Sequence, residues 1–133
     1  MKKIQSQSTS NPCSISQAAA TAALDGDQAC VGEMVKAFKE RHDWLVDALN
    51  KLPGVECPYG DGTFYVFPSF QGAIDATEGV STDVEFAEKL LTEAGVALVP
   101  GSAFGSPGHM RLSFATSMDN LQKAIERLQK ALG

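Results

Sequence analysis

Histidine and cysteine, the residues that most often bind metals or form disulfides, are scarce in this sequence. It has two histidines, His42 and His109, and three cysteines, Cys13, Cys30 and Cys57, with no Cys-x-x-Cys pair. So few donors without a metal-binding spacing predict no metal site. An odd number of cysteines argues against a disulfide framework and favours a reducing compartment. We therefore expect a cytoplasmic protein.

Long apolar runs and clusters of basic residues are also missing. No stretch approaches the ~20 apolar residues of a membrane-spanning helix, and no signal-peptide pattern opens the chain. The net charge is −5 and the pI is near 4.9. Because phosphate neutralisation needs clustered Lys and Arg, we expect neither nucleic acid nor a membrane as a partner. The 133 residues suffice for one domain with its own core.

The sequence predicts an N-terminal arm followed by this domain. The first ten residues are rich in Ser, Thr and Gln, and alone they would form a flexible tail. Asn11-Pro12, or alternatively a capping box that begins at Ser14, then starts an alanine-rich helix that runs to Leu24. We therefore assign residues 1–11 to an arm and residues 12–133 to the domain.

Helical and strand patterns alternate along the domain. Apolar residues recur at helical spacing over 27–52 and again after Ser117, and the capping box Thr82-Asp83-Val84-Glu85 starts another helix. This helix would bury one side and end at Gly95. The side predicted to be buried consists of Val84, Ala87, Leu91 and Ala94.

Two short segments predict a β-hairpin. Val55–Cys57 and Thr63–Phe67 are separated by turn residues, and residues 71–80 follow as a loop without periodicity. Two more short strands follow, one at Val96–Val99 and one around Arg111. This order predicts an α+β fold, a two-layer small domain with its helices packed on one face of a small sheet.

The segment His109–Ala115 is the candidate functional strand. Met110, Leu112 and Phe114 alternate with Arg111 and Ser113, so the apolar side chains face a core and the guanidinium faces away from it. Arginine is a permanently charged planar fork that binds carboxylates and phosphates in a bidentate way. A solvated sheet face is the alternative interpretation of Arg111.

The loop before this strand brings no catalytic motif. Pro100–Gly105 is rich in glycine and contains Phe104, an aromatic of a type that is usually buried, but it lacks the Lys-Ser/Thr pair of a P-loop. No Ser, Cys or His lies in a nucleophile motif. The residues alone therefore predict an anion-binding Arg111 without a catalytic base, which favours a binding or subunit role.

Four segments together resemble the C-terminal third of the pyridoxal-phosphate-dependent aspartate aminotransferases of the bacterial class I type (fold type I). The resemblance extends over essentially the whole chain. The segments, in chain order, are Ile4–Pro12 (IQSQSTSNP), Asp61–Phe67 (DGTFYVF), Gly95–Gly105 with GVA and PGSAFG, and Met110–Ala115 (MRLSFA).

The resemblance implies an enzyme that moves an amino group between an amino acid and a 2-oxo acid. It implies that Arg111 grips the substrate α-carboxylate, that Phe64 lines the pocket, and that Ser10 and Asn11 approach a second subunit. The family's frequent second arginine, which serves dicarboxylate substrates, has no counterpart in Gln5–Thr9.

The resemblance also implies pyridoxal 5'-phosphate as cofactor and a homodimer as the assembly. The family's Schiff-base lysine, phosphate-binding residues and acidic partner of the pyridine nitrogen precede the segment that ends at Pro12. We therefore expect no catalytic and no cofactor-binding residue in this chain, which would need a missing large domain and be inactive alone. The alternative is a non-catalytic binding or dimerisation module with the same fold.

Overall fold

The computed structural model describes all 133 residues, and the chain divides into two compact units, Met1–Val35 and Lys36–Gly133. Six α-helices and three short strands form its regular structure. In chain order they are α1 (Lys2–Ser8), α2 (Ser14–Asp25), α3 (Ala29–Leu49), β1 (Tyr65–Val66), α4 (Gln71–Asp75), α5 (Asp83–Lys89), β2 (Val99–Pro100), β3 (Met110–Ser113) and α6 (Met118–Leu132). None of the helices combines the length and the apolar character that a membrane crossing requires.

The first unit contains α1 and α2, and neither helix has a buried residue. The flexible tail predicted for the first ten residues is wrong, because α1 occupies most of it. Two hydroxyls support α1 by donating to backbone carbonyls, from Ser6 to Lys3 (3.1 Å) and from Ser8 to Ile4 (2.9 Å). The alanine-rich helix is confirmed, but it begins after Cys13 rather than at Asn11.

The second unit is built on a three-stranded antiparallel sheet in the order β1-β3-β2. This confirms the α+β class. The predicted hairpin is wrong, since β1 pairs with β3 through Tyr65↔Ser113 and Val66↔Leu112. The first predicted arm forms only an isolated bridge, from Glu56 to Ser69, which lies beyond the second predicted arm. Strand pairing between distant segments depends on tertiary packing and cannot be read from a local turn.

One apolar core lies on one face of this sheet. Its largest fully buried aromatics are Phe70, Phe86 and Phe114. Helices α3, α4, α5 and α6 all contribute to it, with the residues Leu45, Val46, Leu49, Ala73, Ile74, Phe86, Ala87, Leu121 and Leu128. The loop predicted for residues 71–80 is wrong at its start, where Gln71–Asp75 form α4 because Ala73 and Ile74 reach the core.

Helix α5 begins where the sequence predicts, and Ala87 is buried as predicted, but the prediction is wrong for two of the four residues. Thr82 accepts from the Glu85 amide at 3.2 Å and Glu85 accepts from the Thr82 amide at 3.2 Å, which confirms the capping box. The buried side contains Phe86 and Leu90, whereas Val84 and Leu91 are exposed. Burial of the bulky Phe86 side chain stabilises this orientation of the helix more than the predicted one. The π-helical turn Leu90–Ala94 then changes which of the following residues face the core.

Gly95 ends the π-helical turn in the left-handed region, at φ = 65°. A methyl group there would lie 3.2 Å from Nη1 of Arg127, whose guanidinium donates to the Gly95 carbonyl at 3.0 Å. We expect Gly95→Ala to lower the free energy of unfolding by about 1 kcal/mol or more. Gly62 is the control, since it has an ordinary φ and a methyl group added to it would have no atom within 4 Å. Urea denaturation that ranks the two variants equally would contradict this expectation.

Candidate functional site

Strand β3 places Arg111 as its alternation predicts. Met110 and Leu112 are buried, while Arg111 is half-buried and Ser113 is exposed on the opposite face. Val99 of β2 pairs with Arg111, and Tyr65 of β1 pairs with Ser113. The outer face of the sheet therefore presents one guanidinium, flanked by a residue from each neighbouring strand.

Two aromatic rings hold the guanidinium. The Cζ atom of Arg111 lies 4.7 Å from the ring centre of Phe104 and 5.5 Å from that of Tyr65. Such cation–π contacts orient a guanidinium through its flat faces and leave the N–H groups at its edge free. Tyr65 was not singled out in the sequence, and only its pairing with Ser113 identifies it as a neighbour of Arg111.

The charge of Arg111 has no partner of opposite sign in the chain. None of the three salt bridges involves it, and no buried side-chain polar atom lacks a hydrogen-bond partner. The unpaired guanidinium nitrogens are therefore within reach of solvent. An arginine that is fixed by two rings and left with free donors can accept a carboxylate in the bidentate geometry.

Phe104 comes from the loop before β3, where Gly101–Phe104 form a 3-10 turn. The sequence predicts an aromatic of a buried type at this position, but 49% of the surface of Phe104 is exposed. Its ring packs on Arg111 and meets the edge of Phe67 at 6.0 Å. Phe67 also stacks on His109 with ring centres 5.3 Å apart. The loop therefore supplies one wall of an aromatic cluster around the guanidinium.

Phe64, the other predicted site residue, precedes β1 and is 52% exposed. Its ring meets the Tyr65 ring edge-on at 5.3 Å. Its carbonyl accepts from the Phe114 amide at 2.9 Å, and Thr63 before it has a left-handed φ of 69°. The backbone is thus anchored to the end of β3 while the ring is open to solvent.

A buried carboxylate lies behind the loop. Asp83, only 3% exposed, accepts from the Ser102 amide at 2.6 Å and from its hydroxyl at 2.5 Å. Burial acts to raise the pKa of Asp83, but the hydrogen bonds from Ser102 and from backbone amides outweigh it and leave this pKa lowered. A lowered folded pKa means that this carboxylate stabilises the fold fully above about pH 4 and loses its contribution as the pH falls further.

The residues of this chain do not fit pyridoxal phosphate by themselves. The chain has eight lysines, and none of them belongs to a strand or to the loop that carries Phe104; they are Lys2, Lys3, Lys36, Lys39, Lys51, Lys89, Lys123 and Lys130. The sheet that presents Arg111 therefore offers no lysine for a Schiff base. No cluster of His, Cys, Asp and Glu is arranged to hold a metal ion.

Comparisons with known proteins identify the family of this chain. Residues 1–128 match the model of the family described as aminotransferase class I and II. The aspartate/prephenate aminotransferase of Nitrosomonas europaea is 52% identical over 99% of this chain and 34% of its own length. The chain spans about a third of the length of the curated relatives it matches.

Solved structures of similar proteins extend the comparison to the fold. The crystal structure of the aspartate aminotransferase from Rhizobium meliloti superimposes with a TM-score of 0.87 at 41% identity, covering 97% of this chain and 33% of that one. The aspartate aminotransferase from Thermus thermophilus with maleate gives 0.84 at 40% identity, over 98% and 33%. With a family match over nearly its whole length, this chain belongs to the class I and II aminotransferases.

Proposed function

We propose that this chain is the carboxylate-gripping part of an aminotransferase that moves an amino group between an amino acid and a 2-oxo acid. The observation that carries the proposal is Arg111, an unpaired guanidinium held between two rings on the outer face of the sheet. Amino acids and 2-oxo acids share an α-carboxylate, so a single arginine serves both halves of the reaction. Membership of the family supplies the reaction class.

The surroundings of Arg111 suit this role physically. The guanidinium lies over the rings of Tyr65 and Phe104, which remove part of it from water, while its unpaired nitrogens stay accessible. A charge-assisted, bidentate hydrogen bond gains strength when its groups are partly desolvated. The guanidinium of Arg111 is therefore already oriented before a carboxylate binds, which reduces the entropy lost on binding.

Phe64 would form part of the pocket wall. Its ring is exposed, next to Tyr65, and its carbonyl is fixed to β3. An aromatic wall beside the carboxylate site restricts the orientation of the substrate side chain and keeps water away.

The proposal extends to the complete enzyme. Pyridoxal phosphate, which the family implies, would supply the electron-withdrawing ring on which amino transfer depends. Residues 1–11 would serve as an arm toward a second subunit of a homodimer, with Ser10 and Asn11 at the contact, and residues 12–133 as the small domain. A cytoplasmic location completes the proposal.

A preference for dicarboxylate substrates would have to come from groups other than the arginines of this chain. The Thermus thermophilus relative was solved with maleate, a dicarboxylate. In this chain the other two arginines are already engaged: Arg41 lies over the Phe38 ring at 5.7 Å, and Arg127 bonds to Gly95. We therefore propose that Arg111 serves the α-carboxylate that all amino acid substrates share.

Changing the substrate tests the proposal without changing the protein. In the aminotransferase that contains this chain, an amino acid should compete for binding far better than its α-carboxamide, which keeps the shape but lacks the charge. Losing an ionic, bidentate contact should weaken binding by about 10- to 100-fold or more. If the amino acid and its α-carboxamide compete equally well, no cation binds the α-carboxylate. This result would refute the role of Arg111.

The lysine positions lead to a separate expectation about the 133-residue chain alone. None of its lysines belongs to the sheet, so mixing it with pyridoxal phosphate and reducing with borohydride should label several exposed lysines without preference. Peptide mapping by mass spectrometry measures the labelling at each lysine. A stoichiometric adduct on one lysine would contradict this expectation and would mean that the chain itself holds the cofactor.

A further inference from the structure

The buried carboxylate of Asp83 lies in the first turn of α5, close to backbone amides of its own helix. Thr82 and Glu85 complete the capping box of α5 without it. Both carboxylate oxygens of Asp83 also accept hydrogen bonds from one residue, Ser102, which is 19 positions further along the chain. Burying a carboxylate is costly, and such groups are found where their hydrogen bonds fix a particular arrangement. What these two bonds fix is the 3-10 turn Gly101–Phe104.

The start of this turn is also bonded to the residue that precedes β3. The Gly101 amide donates to the His109 carbonyl at 2.7 Å, and the Ser106 amide donates to the Gly101 carbonyl at 3.0 Å. A methyl group at Gly101 would lie 2.2 Å from the Ser106 oxygen, so the backbones approach too closely for any side chain. The turn is therefore held between β3 on one side and the start of α5 on the other.

Phe104 follows Ser102 by two residues and lies against Arg111. We propose that Asp83 is a positioning residue for Arg111: through Ser102 it holds the turn so that the Phe104 ring covers one face of the guanidinium. This inference rests on the proposed function, because it assigns to Asp83 the orientation of the carboxylate-binding fork. When the two bonds are lost, the ring moves away from the guanidinium and the fork samples more orientations.

Magnetic resonance of the arginine side chains tests this contact directly in the 133-residue chain. The chain has only three arginines, so three Nε–Hε signals are expected, and Arg111→Lys identifies the one that belongs to Arg111. Asp83→Ala removes both acceptor oxygens and with them the two bonds from Ser102. We expect the Arg111 signal to move in the same direction as in Phe104→Ala, because both changes remove the ring from the guanidinium. The signals of Arg41 and Arg127 serve as internal references.

Two further variants separate positioning from general destabilisation. Glu85→Gln weakens the bonds that Glu85 accepts from Ser81 and Thr82, at the same end of α5, without touching Ser102. It should leave the Arg111 signal in place. Ser102→Ala removes only the hydroxyl bond and should shift the signal in the direction seen for Asp83→Ala, by a smaller amount. It therefore provides the test if Asp83→Ala does not fold.

Kinetics of the aminotransferase that contains the chain give the second readout. Because a cation–π contact weakens when the ring moves, Asp83→Ala should raise KM for both the amino acid and the 2-oxo acid by about 2- to 30-fold, with a smaller change in kcat. Glu85→Gln should change neither KM. An unmoved Arg111 signal with unchanged KM in Asp83→Ala would overturn the inference, provided that Arg111→Ala still raises KM. If Arg111→Ala has no effect, the proposed function itself fails.

Discussion

Arg111→Ala is expected to raise KM for both the amino acid and the 2-oxo acid by about 30- to 5000-fold. The range corresponds to about 2–5 kcal/mol for removing one partner of a desolvated, hydrogen-bonded charge pair. It applies to both substrates because each carries the α-carboxylate. Steady-state kinetics of the aminotransferase that contains this chain, with each substrate varied in turn, provide the measurement.

Two other substitutions sharpen this expectation. Arg111→Lys should restore only part of the affinity, since an ammonium keeps the charge but cannot present two parallel donors. Arg41→Ala is the matched control, because Arg41 also lies over an aromatic ring, that of Phe38, but on helix α3. An unchanged KM in Arg111→Ala would support the alternative that Arg111 merely lies on a solvated face of the sheet. It would also favour a non-catalytic binding or dimerisation module.

Phe114→Ala is expected to lower the free energy of unfolding by about 3–5 kcal/mol, the range measured for truncating a buried phenylalanine. Phe114 follows β3 and is 1% exposed. Its ring meets those of His42 at 5.6 Å and Phe38 at 5.8 Å, so alanine leaves a cavity lined by aromatic edges. The midpoint of urea denaturation, with the slope m checked for constancy, measures the loss.

Phe64→Ala is the matched control for this effect. The same atoms are removed, but from a ring that is 52% exposed, so the free energy of unfolding should change by no more than about 0.5 kcal/mol. If Phe64 lines the pocket as proposed, its removal should affect KM rather than stability. Equal destabilisation by the two variants would contradict the separation of core and site by the two faces of the sheet.

Local patterns were sufficient wherever a few neighbouring residues decide the conformation. The alternation along 110–114 predicted which side chains of β3 are buried, and the structure agrees at every position. The capping box at Thr82 and the cap at Ser117, which accepts from the Asn120 amide at 3.2 Å, were predicted correctly. Each of these features depends on hydrogen bonds or periodicity within a few residues, so the sequence carries them directly.

The sequence alone therefore determined the α+β class, the outward-facing Arg111 and, through its motifs, the family. Tertiary structure decided the rest, because it depends on contacts between distant segments. β1 pairs with β3 rather than with its hairpin neighbour, and this pairing brings Tyr65 to Arg111. Asp83 and Ser102 meet although they are 19 residues apart, and the turn that contains Ser102 brings the Phe104 ring against Arg111. Local periodicity does not predict such contacts, because their free energy comes from core packing and desolvation, which only the complete fold creates.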